Sequence, residues 1–487
     1  MAGGGLIQLV SIGAQDVYLV GNPQITFFKV TYQRHTNFAR ECIEQTIQGT
    51  QGFNQRLTIT ISRSGDLVGP MHVEVALPAL SSNVPAAAIS VYSSQSSALG
   101  PATPTYVFNW CWVNYIGYRI LKEVTIEIGG QPIDRHYSTW FYMWYELSTP
   151  AAKREGLQKM VGGYDVTEVP LGLTTNALVE QTIYVPLVFW FNTHPGLALP
   201  LIALQYHEVK LYIQTESLDN CVVLMSPANN PLNPPGSAFR SVVDIEWNLQ
   251  GGTNSLPVQD INGNIPTITL GVWADYYYLD SEERRRFAQL SHEYLIKQVQ
   301  QISANFSSFT DKASNQSIDY RTFNHPVSFN VWGFRKTAPA AAIDWTNFTN
   351  SPPFLQFLGL SVVDQHKLVL NGNDRYNEKN ADYYNLVQPY NHFTAIPPVG
   401  LLCYSYALQP VEHQPSGTLN FSRIDNAANK FSIISDLSQL NGLLGDTGGA
   451  TNPWSQSGQT GYEGVVYAVN YNVLRIMSGM GGLAYSN

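Results

Sequence analysis

Charge is what this 487-residue chain has least of: Asp, Glu, Lys and Arg together make up 13% of it, about half the share usual in soluble proteins. So few ionic side chains exclude a disordered chain or a coiled coil, both of which depend on solvated charge. The 27 basic residues against 36 acidic ones leave a net charge of −9, and no basic cluster is longer than Arg284-Arg285-Arg286. That sign does not suit the neutralisation of many phosphates, so no direct contact with nucleic acid is expected. Cysteine is equally sparse. Its four positions, 42, 111, 221 and 403, match no zinc-binding spacing and are read as free, mostly buried thiols.

Motifs that carry chemistry are missing too. The ten histidines never fall within ten residues of one another, which removes HxH, HxxxH and HExxH metal sites. His292-Glu293 starts like a zincin, but Ile296 stands where the second ligand belongs. There is no G-x-S-x-G nucleophile elbow, no phosphate-binding loop and no strand-linked G-x-G-x-x-G; the glycines of 478–482 are expected to form a terminal turn. Asp280, Glu282 and Glu283 suit the start of a helix, where acids meet the positive end of the dipole. No catalytic residue, metal or cofactor is assigned, and the chain is not expected to be an enzyme. The first ten residues lack a basic and an apolar signal region, and Ala2 stands where N-myristoylation needs glycine, so neither a secretion signal nor an acyl anchor is expected. The long apolar stretch 183–204 is broken by Pro186, Asn192, His194, Pro195 and Pro200. It reads as two buried strands joined around 192–196, not as a membrane span.

What the chain has in quantity is aromatic and neutral polar. Hydrophobic residues are 44% and aromatics 12%, with 28 Tyr, enough to build a large core without disulfides. A surface covered by Ser, Thr, Asn and Gln suits close contact between large faces. Apolar residues alternate with polar ones at Leu57/Ile59/Ile61, Val73/Val75/Leu77, Val124/Ile126/Ile128, Val209/Leu211/Ile213 and Val327/Phe329/Val331. A period of two predicts half-buried strands. Helices are predicted only around 139–161 and from Ser281 onward, so the expected class is all-β, built from sandwiches. Residues 78–105, mostly Ser, Ala and Pro, are expected to form a long surface loop, and 227–236, with four prolines in ten residues, to link two domains.

The two halves echo one another. Residues 126–137 (IEIGGQPIDRHY) parallel 368–376 (LVLNGNDRY), each an apolar alternation, a turn, then Asp134-Arg135 or Asp374-Arg375. Asn371-Gly372 is a type I′ hairpin signal. Further on, Ala203-Leu204-Gln205 with Glu208 returns as Ala407-Leu408-Gln409 with Glu412. Two landmarks kept in order predict a duplicated β domain. A second functional reading, a carbohydrate-binding β-sandwich, would use Trp110/Trp112 and Trp140/Trp144 as sugar-stacking platforms, although core packing explains the same pairs.

Long motifs then point to a family. The segments GAQDVYLVGNPQITFFKVTYQRHTNFA (13–39), RSGDLVG (63–69), PGLALPLIALQYHEVKLY (195–212), HEYLI (292–296), PSGTLNFSRID (415–425) and YNVLRIMSGMGGLAYSN (471–487) closely resemble the major capsid proteins of nucleocytoplasmic large DNA viruses, the algal-virus type above all. The resemblance implies two consecutive eight-stranded antiparallel jelly rolls. The expected division is an N-terminal arm over 1–25, a first jelly roll over 26–226, the linker 227–236 and a second jelly roll over 237–487. It further implies a homotrimer shaped as a pseudo-hexagonal capsomer, packed against neighbouring capsomers in an icosahedral shell. Minor capsid and penton proteins would be partners, above an internal membrane that the chain does not span. The place would be the virion, after assembly in cytoplasmic viral factories of the host. The resemblance assigns Asp16, Tyr18, Asn22 and Pro23 of the arm to assembly contacts. It places 78–105 and 330–353 among outer loops, with Asn347 of the sequon Asn347-Phe348-Thr349 as a candidate glycosylation position.

Overall fold

The structure, a computed structural model, describes residues 4–80, 109–163, 180–225, 262, 264–306, 316–337, 344–349, 360–433 and 462–485. Its first principal strands are β1 (Phe38–Gln45), β2 (Arg56–Thr60), β3 (Leu67–Leu77), β4 (Leu121–Ile128), β5 (Gln131–Tyr137), β6 (Gln181–Pro186), β7 (Val209–Thr215) and β8 (Thr269–Leu279). They lie in two sheets with the orders β1-β8-β3-β6 and β2-β7-β4-β5. The next are β9 (His292–Phe306), β10 (Gln316–Asp319), β11 (Pro326–Lys336), β12 (Val363–Leu370), β13 (Asn373–Asp374), β14 (Leu401–Ser405), β15 (Ala427–Ile433) and β16 (Tyr462–Met477). Their orders are β9-β16-β11-β14 and β10-β15-β12-β13. Adding eight to every strand of the first sandwich reproduces the second. This is the two-sheet arrangement of a jelly roll, made twice.

The local cause is the period-two pattern. Along β3 the residues Met71, Val73, Val75 and Leu77 are buried, while His72 and Glu74 point the other way and are half-exposed. The duplicated Asp-Arg landmarks occupy matching hairpins. Gly129 and Gly130 turn β4 into β5, and Asn371 and Gly372, with φ of 47° and 82°, turn β12 into β13 in the positive-φ geometry of the expected I′ turn. Helices follow each hairpin: Ser138–Ser148 and Ala151–Met160 in the first sandwich, and a π turn Tyr383–Val387 running into Gln388–His392 in the second. The 183–204 stretch forms β6, a short helical passage and the bridge strand Leu199–Pro200, which pairs with β3 as Leu419–Asn420 pairs with β11.

The domain boundary differs from expectation. Residues 227–236 lie outside the described residues, but β8, beyond them in sequence, pairs with β3 over Thr269–Tyr277. The first sandwich thus takes in residues on both sides of that segment, so the Pro-rich stretch read as a linker lies in sequence between two of its strands. The chain passes to the second sandwich through the helix Ser281–Gln289, whose Arg284 Nε lies 3.0 Å from Asp66 Oδ1. The first 38 residues form a separate unit. It holds the helices Gly4–Val10 and Ala14–Val20, with Gly13 N donating to Asp16 Oδ2 at 2.9 Å and Asn22 in the left-handed region at φ 51°. No helix among the described residues is long and apolar enough to cross a membrane.

Candidate assembly surfaces

The two sandwiches share a seam, and one sheet shows how it is built. In β16 the side chains of Val465, Tyr467 and Val469 belong to one apolar cluster, while Val466 and Ala468 between them belong to another. Strand β14 divides the same way, Leu401 and Cys403 against Leu402. Both faces of the sheet are therefore covered: one by the second sandwich's own core, the other by the first sandwich. A strand buried on both faces reads as a continuous apolar run, and GVVYAV at 464–469 is such a run.

The covering group is the helix Ser138–Ser148, buried almost all round. Its Phe141 and Tyr142 pack on Tyr118 and Tyr115 of the first sandwich. On the opposite side Trp140 meets Tyr467 (centroids 5.6 Å) and Phe329 (6.5 Å), Trp144 meets Phe329 (6.0 Å), and Tyr142 reaches Trp345 (5.6 Å) and Phe348. Each fully buried large side chain contributes about 1.5–3 kcal/mol. At the seam, Asp134 Oδ1 accepts from Val299 N at 3.0 Å, Asp134 Oδ2 lies 3.0 Å from His136 Nε2, and Gln298 Nε2 donates to the Ile133 carbonyl. Asp134 thus holds a strand of the other sandwich.

Two further clamps explain motifs noted in the sequence. Arg63 donates to the carbonyls of Leu204 (2.6 Å), Gln205 (2.8 Å) and His207 (3.2 Å), fixing the loop that contains PGLALPLIALQYHE. Lys297 does the same for the matching loop of the second sandwich, donating to Pro410 O at 2.9 Å and Glu412 O at 2.6 Å; burial lowers its pKa to about 8. The terminal glycines do make a turn. Ser478-Gly479 leads into Met480–Leu483, whose Gly481 sits 2.9 Å from His207 Nδ1 through its carbonyl, so the hairpin closes on the first sandwich. Gly479 has φ +80°, and a Cβ there would come within 2.6 Å of the Tyr206 ring.

The residues singled out from sequence fall in different places. Tyr18 is 92% exposed, and Asp16, Asn22 and Pro23 are exposed along the same arm, which also carries exposed Leu9, Val10 and Leu19 and is followed by exposed Phe27 and Phe28. Asn347 does not fit its expected role. It is 9% exposed, its Nδ2 donates to Asp344 Oδ2 at 3.0 Å, and its Oδ1 accepts from Thr349 N and Oγ1. The nitrogen that a glycan would modify is engaged, and the flanking Trp345 and Phe348 are buried against Tyr142. Of the span 330–353 expected among the outer loops, 330–336 continues β11 and 344–349 is buried, while 338–343 and 350–353 lie outside the described residues. Most of 78–105 lies outside the described residues. Trp112 and Trp140 are buried and so offer no sugar platform. Cys221 and Cys403 are buried free thiols, whereas Cys42 is exposed. Among the described residues no three His, Cys, Asp or Glu side chains are grouped to hold a metal ion. The helix expected around 139–161 is present, but the sequence reading missed its place in the seam and missed the two-sided sheet.

Comparison with known proteins agrees with this architecture. The family described as "Major capsid protein N-terminus" matches residues 26–280, and "Large eukaryotic DNA virus major capsid protein" matches 283–482, dividing the chain at the connecting helix. The chain is 38% identical to the major capsid protein of Paramecium bursaria Chlorella virus 1, covering 99% of this chain and all of that one. It is 37% identical to that of Pyramimonas orientalis virus over the full length of both. Among solved structures it is similar to the PBCV-1 virus capsid, with TM-score 0.68 and 34% identity over 95% of this chain and 100% of the other. The Faustovirus major capsid protein shares the fold at TM-score 0.64 and 14% identity, over 96% and 94% of the two chains.

Proposed function

Because the chain belongs to the major capsid proteins of large eukaryotic DNA viruses, a structural and non-enzymatic family, we propose that it builds the virion shell as a homotrimer imitating a hexagon. It is a double jelly-roll capsid protein and a component of the virion. The observation that carries the trimer reading is the repeat itself: strands of the second sandwich follow the order of the first throughout. Three chains then supply six like wedges, and a sixfold outline lets neighbouring capsomers tile flat facets.

The exposed apolar arm supports a role in contacts below the shell. Asp16, Tyr18, Asn22 and Pro23 would meet minor capsid proteins there, next to an internal membrane, with a penton protein closing the vertices. Assembly would take place in cytoplasmic viral factories. The division into domains is an arm, a first jelly roll through β8 and a second from β9. Sedimentation equilibrium of the purified protein tests the central reading: a three-chain species at micromolar concentration is expected, and a monomer would overturn it.

A further inference from the structure

Within one chain, the helix after β5 presses a ridge of aromatic residues, Trp140 and Trp144 at i and i+4, onto the outer face of the sheet β9-β16-β11-β14. Because the two sandwiches share one strand order, each has a counterpart of the other's half of this seam. The counterpart of the helix is the turn-and-helix 383–392 after β13. Its Tyr384, Asn385, Gln388 and Pro389 are buried, whereas Leu386 (47% exposed), Val387 (43%) and Tyr390 (78%) form an outward stripe, with Leu386 and Tyr390 again at i and i+4. The counterpart of the sheet is the outer face of β1-β8-β3-β6. There His72, Trp273 and Tyr184 from three adjacent strands line up, with His72 6.5 Å from Trp273 and 6.1 Å from Tyr184 between ring centroids. Trp273 Nε1 donates to Glu74 Oε2 at 2.7 Å, and the indole plane lies 7° from that of His72.

We infer that the Leu386/Val387/Tyr390 stripe of one chain docks on the His72/Trp273/Tyr184 face of a second copy, repeating between chains the seam that each chain makes within itself. This deepens the trimer reading and rests on it. Among the described residues each chain has one spare helix and one spare sheet face, so the contact is head-to-tail, and three such contacts alternating with three internal seams close a ring. The difference in polarity follows from when each face is covered. The sheet covered inside the chain is apolar, with Phe329, Val331, Val465 and Tyr467. The sheet that waits for a partner mixes its aromatics with Arg40, Glu44, Glu74 and Asp275, which keeps a lone chain soluble, as at interfaces formed after folding.

Two double variants test the inference, one on each half of the contact: Leu386→Glu/Tyr390→Glu on the helix and His72→Glu/Tyr184→Glu on the sheet. Each alone is expected to sediment as a folded monomer under conditions where the unaltered chain forms trimers, its assembly weakened by about 30-fold or more, as loss of central anchors implies. Mixed in equal amounts, the two retain one intact helix and one intact sheet face that match, so a two-chain species and no trimer is expected. That species also shows that both variants fold. Trimers formed by either variant alone, a mixture that stays monomeric, or variants that unfold would overturn the docking while leaving the trimer reading in place. An unaltered chain that is itself monomeric would instead overturn the trimer reading.

Discussion

Glu146 and His366 are buried ionisable groups whose effects on stability run in opposite directions with pH. Glu146, 3% exposed on the seam helix, has its pKa raised by burial to about 7 from an ordinary 4.5, with Arg154 Nη2 2.7 Å from its Oε2 pulling the other way. The folded state therefore holds this proton more tightly than the unfolded chain does, and stability declines as pH rises from 4.5 to 7. Glu146→Gln is expected to raise stability by about 1–3 kcal/mol at pH 8 and by much less at pH 4. His366 is fully buried among Trp332, Tyr384 and Phe431, and burial lowers its pKa from 6.5 to about 3. Here the unfolded chain takes up the proton first, so stability is full above pH 6.5 and is lost as pH falls toward 3. Relative to the unaltered protein, His366→Phe should gain more at pH 5 than at pH 8. Urea midpoints at the two pH values check both substitutions, and parallel shifts at both would contradict these assignments. Neither group was visible in the sequence as special, because burial of a carboxylate or imidazole depends on what folds over it.

At the scale of elements, the same kind of helix serves two purposes in one chain. Trp140→Ala removes a side chain enclosed by Tyr467, Phe329 and Trp144 and is expected to cost about 3–5 kcal/mol. Leu386→Ala, on the corresponding helix, should change the stability of a single chain by less than about 0.5 kcal/mol, since its side chain is half-exposed there. Calorimetry of the two variants under monomeric conditions separates these cases. The strands were legible wherever one face is buried: Leu57/Ile59, Val73/Val75 and Val209/Leu211 alternate because solvent lies behind them. The Asn371-Gly372 turn was legible because few residues tolerate its geometry. The two-sided burial of β16 was not, since a solid apolar run fits a buried strand or a buried helix equally well. The domain boundary was misread for a related reason: proline marks where a strand stops, and it does so within a domain as readily as between domains.

For the whole molecule, removing residues 1–25 should leave assembly of single capsomers intact and impair growth of closed shells, because the arm is a unit apart from residues 39–487. Electron microscopy of the truncated protein expressed with its shell partners measures this, and unfolded protein would show that the arm is needed for folding instead. The seam has one further consequence, in the order of synthesis. Strand β16 lies in the middle of its sheet, between β9 and β11, yet it is the last long strand to leave the ribosome. The first sandwich has all its strands once β8 emerges, but the sheet under the Trp140/Trp144 ridge lacks its central strand until roughly 200 further residues are made. At about 5–20 residues per second that interval is on the order of 10–40 s. A nascent chain thus displays a sticky aromatic edge throughout the second half of translation, and any product cut short before Tyr462 keeps it bare.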